Sequence, residues 1–125
     1  MREAKFRGKS KSGYWVTGYL YVSDSKNYII NKGHYTSLVE VFPESIGQFT
    51  GLQDVNGKDI YEGDILDTLH KLQIEFIQGS FGYWLMFDFI PICNVVDVIK
   101  VLDIIGNIYE NPELLEQGRV VTQES

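Results

Sequence analysis

Asn56-Gly57, set between strand-forming runs at residues 48–55 and 58–66, limits what this chain can fold into more than any other feature. The dipeptide tolerates the two consecutive positive φ angles of a type I′ turn, whose twist matches that of the strands it joins. An antiparallel hairpin is therefore predicted over 48–66. Within its second arm, Glu62-Gly63-Asp64-Ile65 sets a glycine between two carboxylates of one strand parity, which predicts a bulge on a solvated acidic edge. By analogy alone, this approach to a strand resembles an element of small SH3-like barrels.

The rest of the chain is read in the same way. Lys5, Arg7, Lys9 and Lys11 occupy alternate positions, so a strand here projects all four cations from one face and is expected at an edge or facing solvent. Residues 14–22 carry Trp15, Thr17, Tyr19 and Tyr21 on one parity and Tyr14, Val16, Leu20 and Val22 on the other. Strand formers on both faces predict a strand inside a sheet. Turns are predicted at 23–27 and 31–34, with return strands from Tyr28 and over 36–42. Pro43-Glu44-Ser45-Ile46 before Gly47 suits one helical turn with a glycine stop.

A second hairpin is predicted around Gln78-Gly79-Ser80, between 72–77 and 81–87. Residues 95–105 combine β-branched side chains with charges at every third position, and are read as a short turn followed by a strand from Lys100. Asn111-Pro112 ahead of Glu113, with Gly118 behind, predicts a short helix. The fold class that follows is mainly β: one domain over residues 1–118, built of antiparallel hairpins forming a small barrel or sandwich, with a short C-terminal helix. Residues 119–125 are expected to fray.

A chain of 125 residues with seventeen Phe, Tyr and Trp has the apolar mass for one core. Cys93 is the sole cysteine, so no intrachain disulfide is available, and between Ile92 and Asn94 it reads as a small buried hydrophobe. Met1-Arg2-Glu3-Ala4-Lys5 lacks the apolar run of an export signal. The most apolar stretch, 95–105, is broken by Asp97, Lys100 and Asp103, which a membrane span does not tolerate cheaply. A cytoplasmic protein without a membrane anchor is expected.

The net charge of −6 is unevenly spread. Residues 1–11 hold five cations against Glu3, a local charge of +4, which leaves −10 for the remainder. Residues 40–67 set seven carboxylates against Lys58. The candidate interaction surface is accordingly the basic margin Arg2, Lys5, Arg7, Lys9 and Lys11, together with the acidic Asp54, Asp59, Glu62 and Asp64.

Sites of chemistry are weaker. Asp54, Asn56 and Asp59 around Gly57 lack the alternate-position ligand spacing of a calcium loop, and a structural turn is the better reading. Glu62, Asp64 and Asp67 could supply a carboxylate pair, but a solvated acidic edge accounts for the same residues. His34 and His70 stand far apart without a ligand partner at metal-binding spacing. No catalytic, cofactor or metal site is therefore assigned. The basic strand beside Phe6, Tyr14 and Trp15 supports nucleic-acid binding, because clustered cations meet phosphates and rings stack on unpaired bases; the acidic remainder opposes it.

Three blocks carry a resemblance: Met1-Arg2-Glu3-Ala4-Lys5-Phe6-Arg7-Gly8-Lys9, then Gly47-Gln48-Phe49-Thr50-Gly51-Leu52 through Glu62-Gly63-Asp64-Ile65, and Ile105-Gly106-Asn107-Ile108-Tyr109-Glu110-Asn111-Pro112-Glu113-Leu114-Leu115. In order and spacing the chain resembles the YopX family of phage and prophage proteins. The resemblance implies a gene of phage or prophage origin, action inside a bacterial host cell and a mostly β fold. It brings no activity and no catalytic residues. Residues 67–104, including Ile90-Pro91-Ile92-Cys93-Asn94, depart most from it.

The functional expectation is a non-enzymatic accessory protein that binds a protein partner or associates with itself, without a cofactor. Nucleic-acid binding through the basic strand is the first alternative and an unrecognised enzyme the second.

Overall fold

A computed structural model describes residues 5–32, 36–68, 71–85 and 88–115. Arg2, His34 and His70, and residues 116–125, lie outside the described residues; the helix read from Asn111 begins within them, residues 113–115 being helical. The protein is mainly β, and the strand pairs whose register is defined are all antiparallel. No closed barrel forms among the described strands. The chain divides into two compact units, residues 1–49 and 50–125.

The first unit contains β1 (Phe6–Lys9), β2 (Trp15–Ser23), β3 (Lys26–Lys32), β4 (Thr36–Val41) and a 3-10 turn at Pro43–Ser45, after which β5 (Gly47–Gln53) begins. The order is β4-β3-β2-β1-β5. β1 is not an edge strand. β2 lies along one side, Phe6 and Arg7 pair with Gln48 and Gly47 on the other, and a bridge joins Ser10 to Val41. The Phe42 N–H donates to the Lys9 carbonyl at 2.9 Å and the Lys9 N–H to Ser45 Oγ at 2.7 Å. The sheet curls until the end of β4 meets the end of β1, and the 3-10 turn covers what remains of the β1 margin.

Alternation decides what the curl encloses. Val16, Ile29 and Val41 are buried together, with Phe6, Leu20, Val39 and Ile46 packed around them. Gly8 faces this core beneath Val41, where an added Cβ would lie 2.9 Å from the Val41 Cβ. The strand can pass that close only without a side chain.

The consecutive pairs of positive φ angles lie elsewhere than at Asn56-Gly57. In the β2–β3 hairpin, Asp24 (φ 51°) and Ser25 (φ 63°) form the two-residue loop, and Gln78 (φ 50°) with Gly79 (φ 83°) does so between β9 (Glu75–Ile77) and β10 (Ser80–Leu85). At 54–58 only Gly57 (φ 80°) is positive, and its N–H donates to the Asp54 carbonyl at 3.0 Å. That is a three-residue loop, a turn over 54–57 whose last residue is one left-handed glycine, the next most common hairpin solution.

The second unit continues β5 and adds β6 (Asp59–Tyr61), β7 (Asp64–Leu66), β8 (Leu72–Gln73), β9, β10, β11 (Asp88–Pro91), a 3-10 turn at Ile92–Asn94, α1 (Val96–Ile99) and β12 (Ile104–Asn107). β5 neighbours β6, while β12-β7-β8 and β11-β10-β9 form two further sheets. The arm read as one strand over 58–66 is split by a turn at Glu62-Gly63, where Gly63 has φ 96°. Gly63 is therefore a turn residue between two sheets, not a bulge.

Ile60, Leu66, Ile74, Tyr83, Ile92 and Ile99 make the buried core here, with Val95 and Leu102 packed against it. Ile92, Val95, Ile99 and Leu102 recur at three- and four-residue spacing, the period of a helical face. This is why two helical turns, Ile92–Asn94 and Val96–Ile99, stand here and the last strand starts at Ile104, not Lys100.

Candidate functional site

The strand alternation that buries Val16 and Ile29 turns the other parity of the first sheet outward. Lys9 lies opposite Trp15 and Arg7 opposite Thr17; Tyr19 lies opposite Ile30 and Tyr21 opposite Tyr28; Leu38 stands across from Ile30 and Glu40 from Tyr28. Each of the four described cations of the basic segment rests on a ring. Lys5 sits 5.1 Å from the Phe49 centroid, Arg7 4.9 Å and Lys9 5.3 Å from that of Trp15, and Lys11 4.4 Å from that of Phe42. A cation on an aromatic face keeps its charge while losing rotamer freedom. Lys5, Arg7 and Lys9 are half-buried and Lys11 exposed, with Lys11 Nζ 3.9 Å from Glu40 Oε2.

Aromatic surface accompanies them. Tyr21 is 45% exposed and its ring centroid stands 6.1 Å from that of Tyr28, and Leu38 is 56% exposed. Charge follows the two units: residues 1–49 hold seven Lys and Arg against four Asp and Glu, or +3, and residues 50–125 four against thirteen, or −9. Residues 1–11 carry +4 of this and residues 12–49 carry −1, so the basic character of the first unit is that of its leading margin.

The acidic half of the candidate surface is different in kind. Asp54 is 5% and Asp64 1% exposed. Asp54 Oδ1 accepts the N–H groups of Asn56 and Lys58, each at 2.9 Å, and Oδ2 accepts that of Ile104 at 3.1 Å. Burial pushes its carboxyl upward, but those three backbone donors and the Lys58 charge outweigh it and hold the group below its ordinary value. Asp64 Oδ2 accepts the Tyr61 N–H at 2.8 Å, closing the turn between β6 and β7. These two carboxylates are architectural and are not surface. Asp59 and Glu62 are half-buried, and Asp59 Oδ1 accepts from Gln53 Nε2 at 3.1 Å.

The second unit also holds a pocket of about 300 Å³ lined by Thr50, Leu52, Phe81, Ile92, Cys93 and Val96. Cys93 is exposed, which corrects its reading as a buried hydrophobe. The 3-10 turn that buries Ile92 points the next residue away from the core. Among the described residues no cluster of His, Cys, Asp and Glu has metal-binding geometry, and no helix is long and apolar enough to cross a membrane.

The YopX protein family matches residues 5–116. This chain belongs to the YopX family. It is also similar to a solved structure, the crystal structure of protein EF1440 from Enterococcus faecalis, with 26% identity and a TM-score of 0.56 over 92% of this chain and 99% of that one. No curated protein matches it. In this YopX protein the blocks that carried the resemblance are occupied largely with holding the fold. The Asn107 N–H donates to Asn111 Oδ1 at 3.2 Å and the Glu110 N–H to Asn107 Oδ1 at 2.8 Å. A Cβ on Gly106 would lie 2.6 Å from Asn111 Oδ1. The first block alone contributes a row of charges to an outward face.

Proposed function

We propose that this YopX protein is a non-enzymatic accessory protein of phage or prophage origin, acting inside the bacterial host by binding a macromolecular partner, another protein or a second copy of itself included. The contact surface is the outer face of the first sheet. One observation carries the reading: Lys5, Arg7 and Lys9 are held over Phe49 and Trp15 on a face that also exposes Tyr21 and Leu38. Side chains already ordered in the free protein lose less freedom on association, so the gain from each contact is kept. The pocket in the second unit supplies the Cys93 thiol and the hydroxyls of Thr50 and Ser80 but no carboxylate or imidazole among its lining residues, which supports binding over catalysis.

β1 is flanked on both sides, so addition of a partner strand to a basic edge is closed to it, and the burial of Asp54 and Asp64 removes half of the acidic surface that could have met that edge. The face remains. The test compares the wild-type protein with a Thr17→Glu, Leu38→Glu double variant, both positions being exposed, for solution mass and for the macromolecules retained from a host extract. Retention or assembly lost in the variant supports the reading; identical behaviour of the two proteins refutes it.

A further inference from the structure

We infer that the outer face of the first sheet takes single-stranded nucleic acid, with phosphates along β1 and bases on the tyrosines of β2 and β3. The inference rests on the reading of that face as the contact surface and names its occupant. Lys5, Arg7 and Lys9 project from alternate residues of one strand, about 6.7 Å apart, which is roughly one nucleotide step of an extended strand. They lie in a unit whose net charge is +3, and exposed Lys26 pairs with Ser23 on the same parity at the far end of β2. A polyanion laid across the sheet meets cations at both ends.

Between those ends stand the rings. Tyr21 lies four residues along β2 from Thr17, the partner of Arg7, or about 13 Å. Tyr21 and Tyr28 form a cross-strand pair, tilted 40° to each other, with Tyr21 open to solvent. Every base has a π face, so such a pair accepts unpaired bases without regard to sequence, and the Arg7 guanidinium offers a further plane. A duplex hides its base faces from such a ring platform. An acidic protein would satisfy the cations but would leave Tyr21 and Tyr28 without their matching surface.

The test is fluorescence anisotropy of the full chain at low salt with a labelled oligothymidylate, with a duplex of equal length and with polyglutamate as competitor. Oligothymidylate is expected to bind, with log affinity falling against log salt at a slope of about −3 for the three cations of the β1 segment and Lys26. Tyr21→Ala should weaken binding about fivefold or more. Thr17→Glu, placing a carboxylate opposite Arg7, should weaken it and flatten the slope by about 0.7. Both positions are exposed, and quenching of the Trp15 part of the wild-type emission by the same oligonucleotide gives a readout that needs no variant.

Absence of binding by the wild-type protein overturns the inference, as does equal or tighter binding of the duplex. Displacement of the oligonucleotide by polyglutamate at equal charge also overturns it, while leaving the face as a docking surface for an acidic protein. Binding untouched by either substitution overturns both the inference and the assignment of the face.

Discussion

Asp54→Asn removes one charge and almost no volume from the turn that holds the second unit together. Asp54 accepts three backbone N–H groups, two on Oδ1 and one on Oδ2. A hydrogen bond to a charged acceptor contributes about 1.5–3 kcal/mol against about 0.5–1.5 for a neutral one. Asparagine can keep the two bonds from Asn56 and Lys58 through its single carbonyl oxygen, losing about 1 kcal/mol on each. It must then turn its NH₂ toward the Ile104 N–H, donor against donor, and that bond is lost. The sum is about 4 kcal/mol, a large fraction of the 5–15 kcal/mol of a typical domain.

The pH dependence has a definite sign. The folded-state pKa of Asp54 lies below its ordinary value of 3.8, so its stabilisation is complete above that value and is lost as pH falls through the lower, folded one. Urea unfolding of wild type and variant at neutral pH should therefore differ by about 4 kcal/mol, and the gap should narrow below pH 3.8 as the wild-type carboxylate takes up its proton. A difference under about 0.5 kcal/mol at neutral pH, or one that does not change with acid, would refute the account of this turn.

Three further outcomes test the geometry. Gly8→Ala should cost about 1–3 kcal/mol in thermal or urea unfolding, because the new methyl meets Val41 at 2.9 Å across a packed core; an unchanged midpoint would show that the curl has slack. Replacing Asp24-Ser25 by Asn-Gly should stabilise the protein by about 1 kcal/mol, since both residues hold left-handed φ angles that this pair adopts at lower cost, and a lower unfolding midpoint would contradict the turn assignment. Cys93 should react with a thiol reagent in the native protein at the rate of a free thiol; reaction only after denaturation would place it in the core.

Much of the chain is legible from local pattern. The strand at Trp15–Ser23, its return at Lys26–Lys32, the turn at Pro43–Ser45 and the hairpin at Gln78-Gly79 fall where alternation, β-branching and turn residues place them, because each depends on neighbours a few residues apart. The helical turn at Val96–Ile99 was also written in the chain, in the spacing of Ile92, Val95, Ile99 and Leu102, but a run this short and this rich in β-branched residues is equally a strand until its core is known. Of the candidate site, the alternation of Lys5, Arg7 and Lys9 put their charges on one face, and nothing local could say which rings would lie under them.

Burial and partnership belong to the tertiary structure. Asp54 looks like a surface acid in any window of the sequence; its third donor, Ile104, lies fifty residues away, and only that closure turns a solvated charge into a buried support. β1 has the alternating charges of an exposed edge, yet Val41 and Gly47 bring partners to its open side from thirty and forty residues downstream. Secondary structure follows short-range sterics and hydrogen bonding, which a sequence displays directly, whereas desolvation depends on atoms that distant segments deliver.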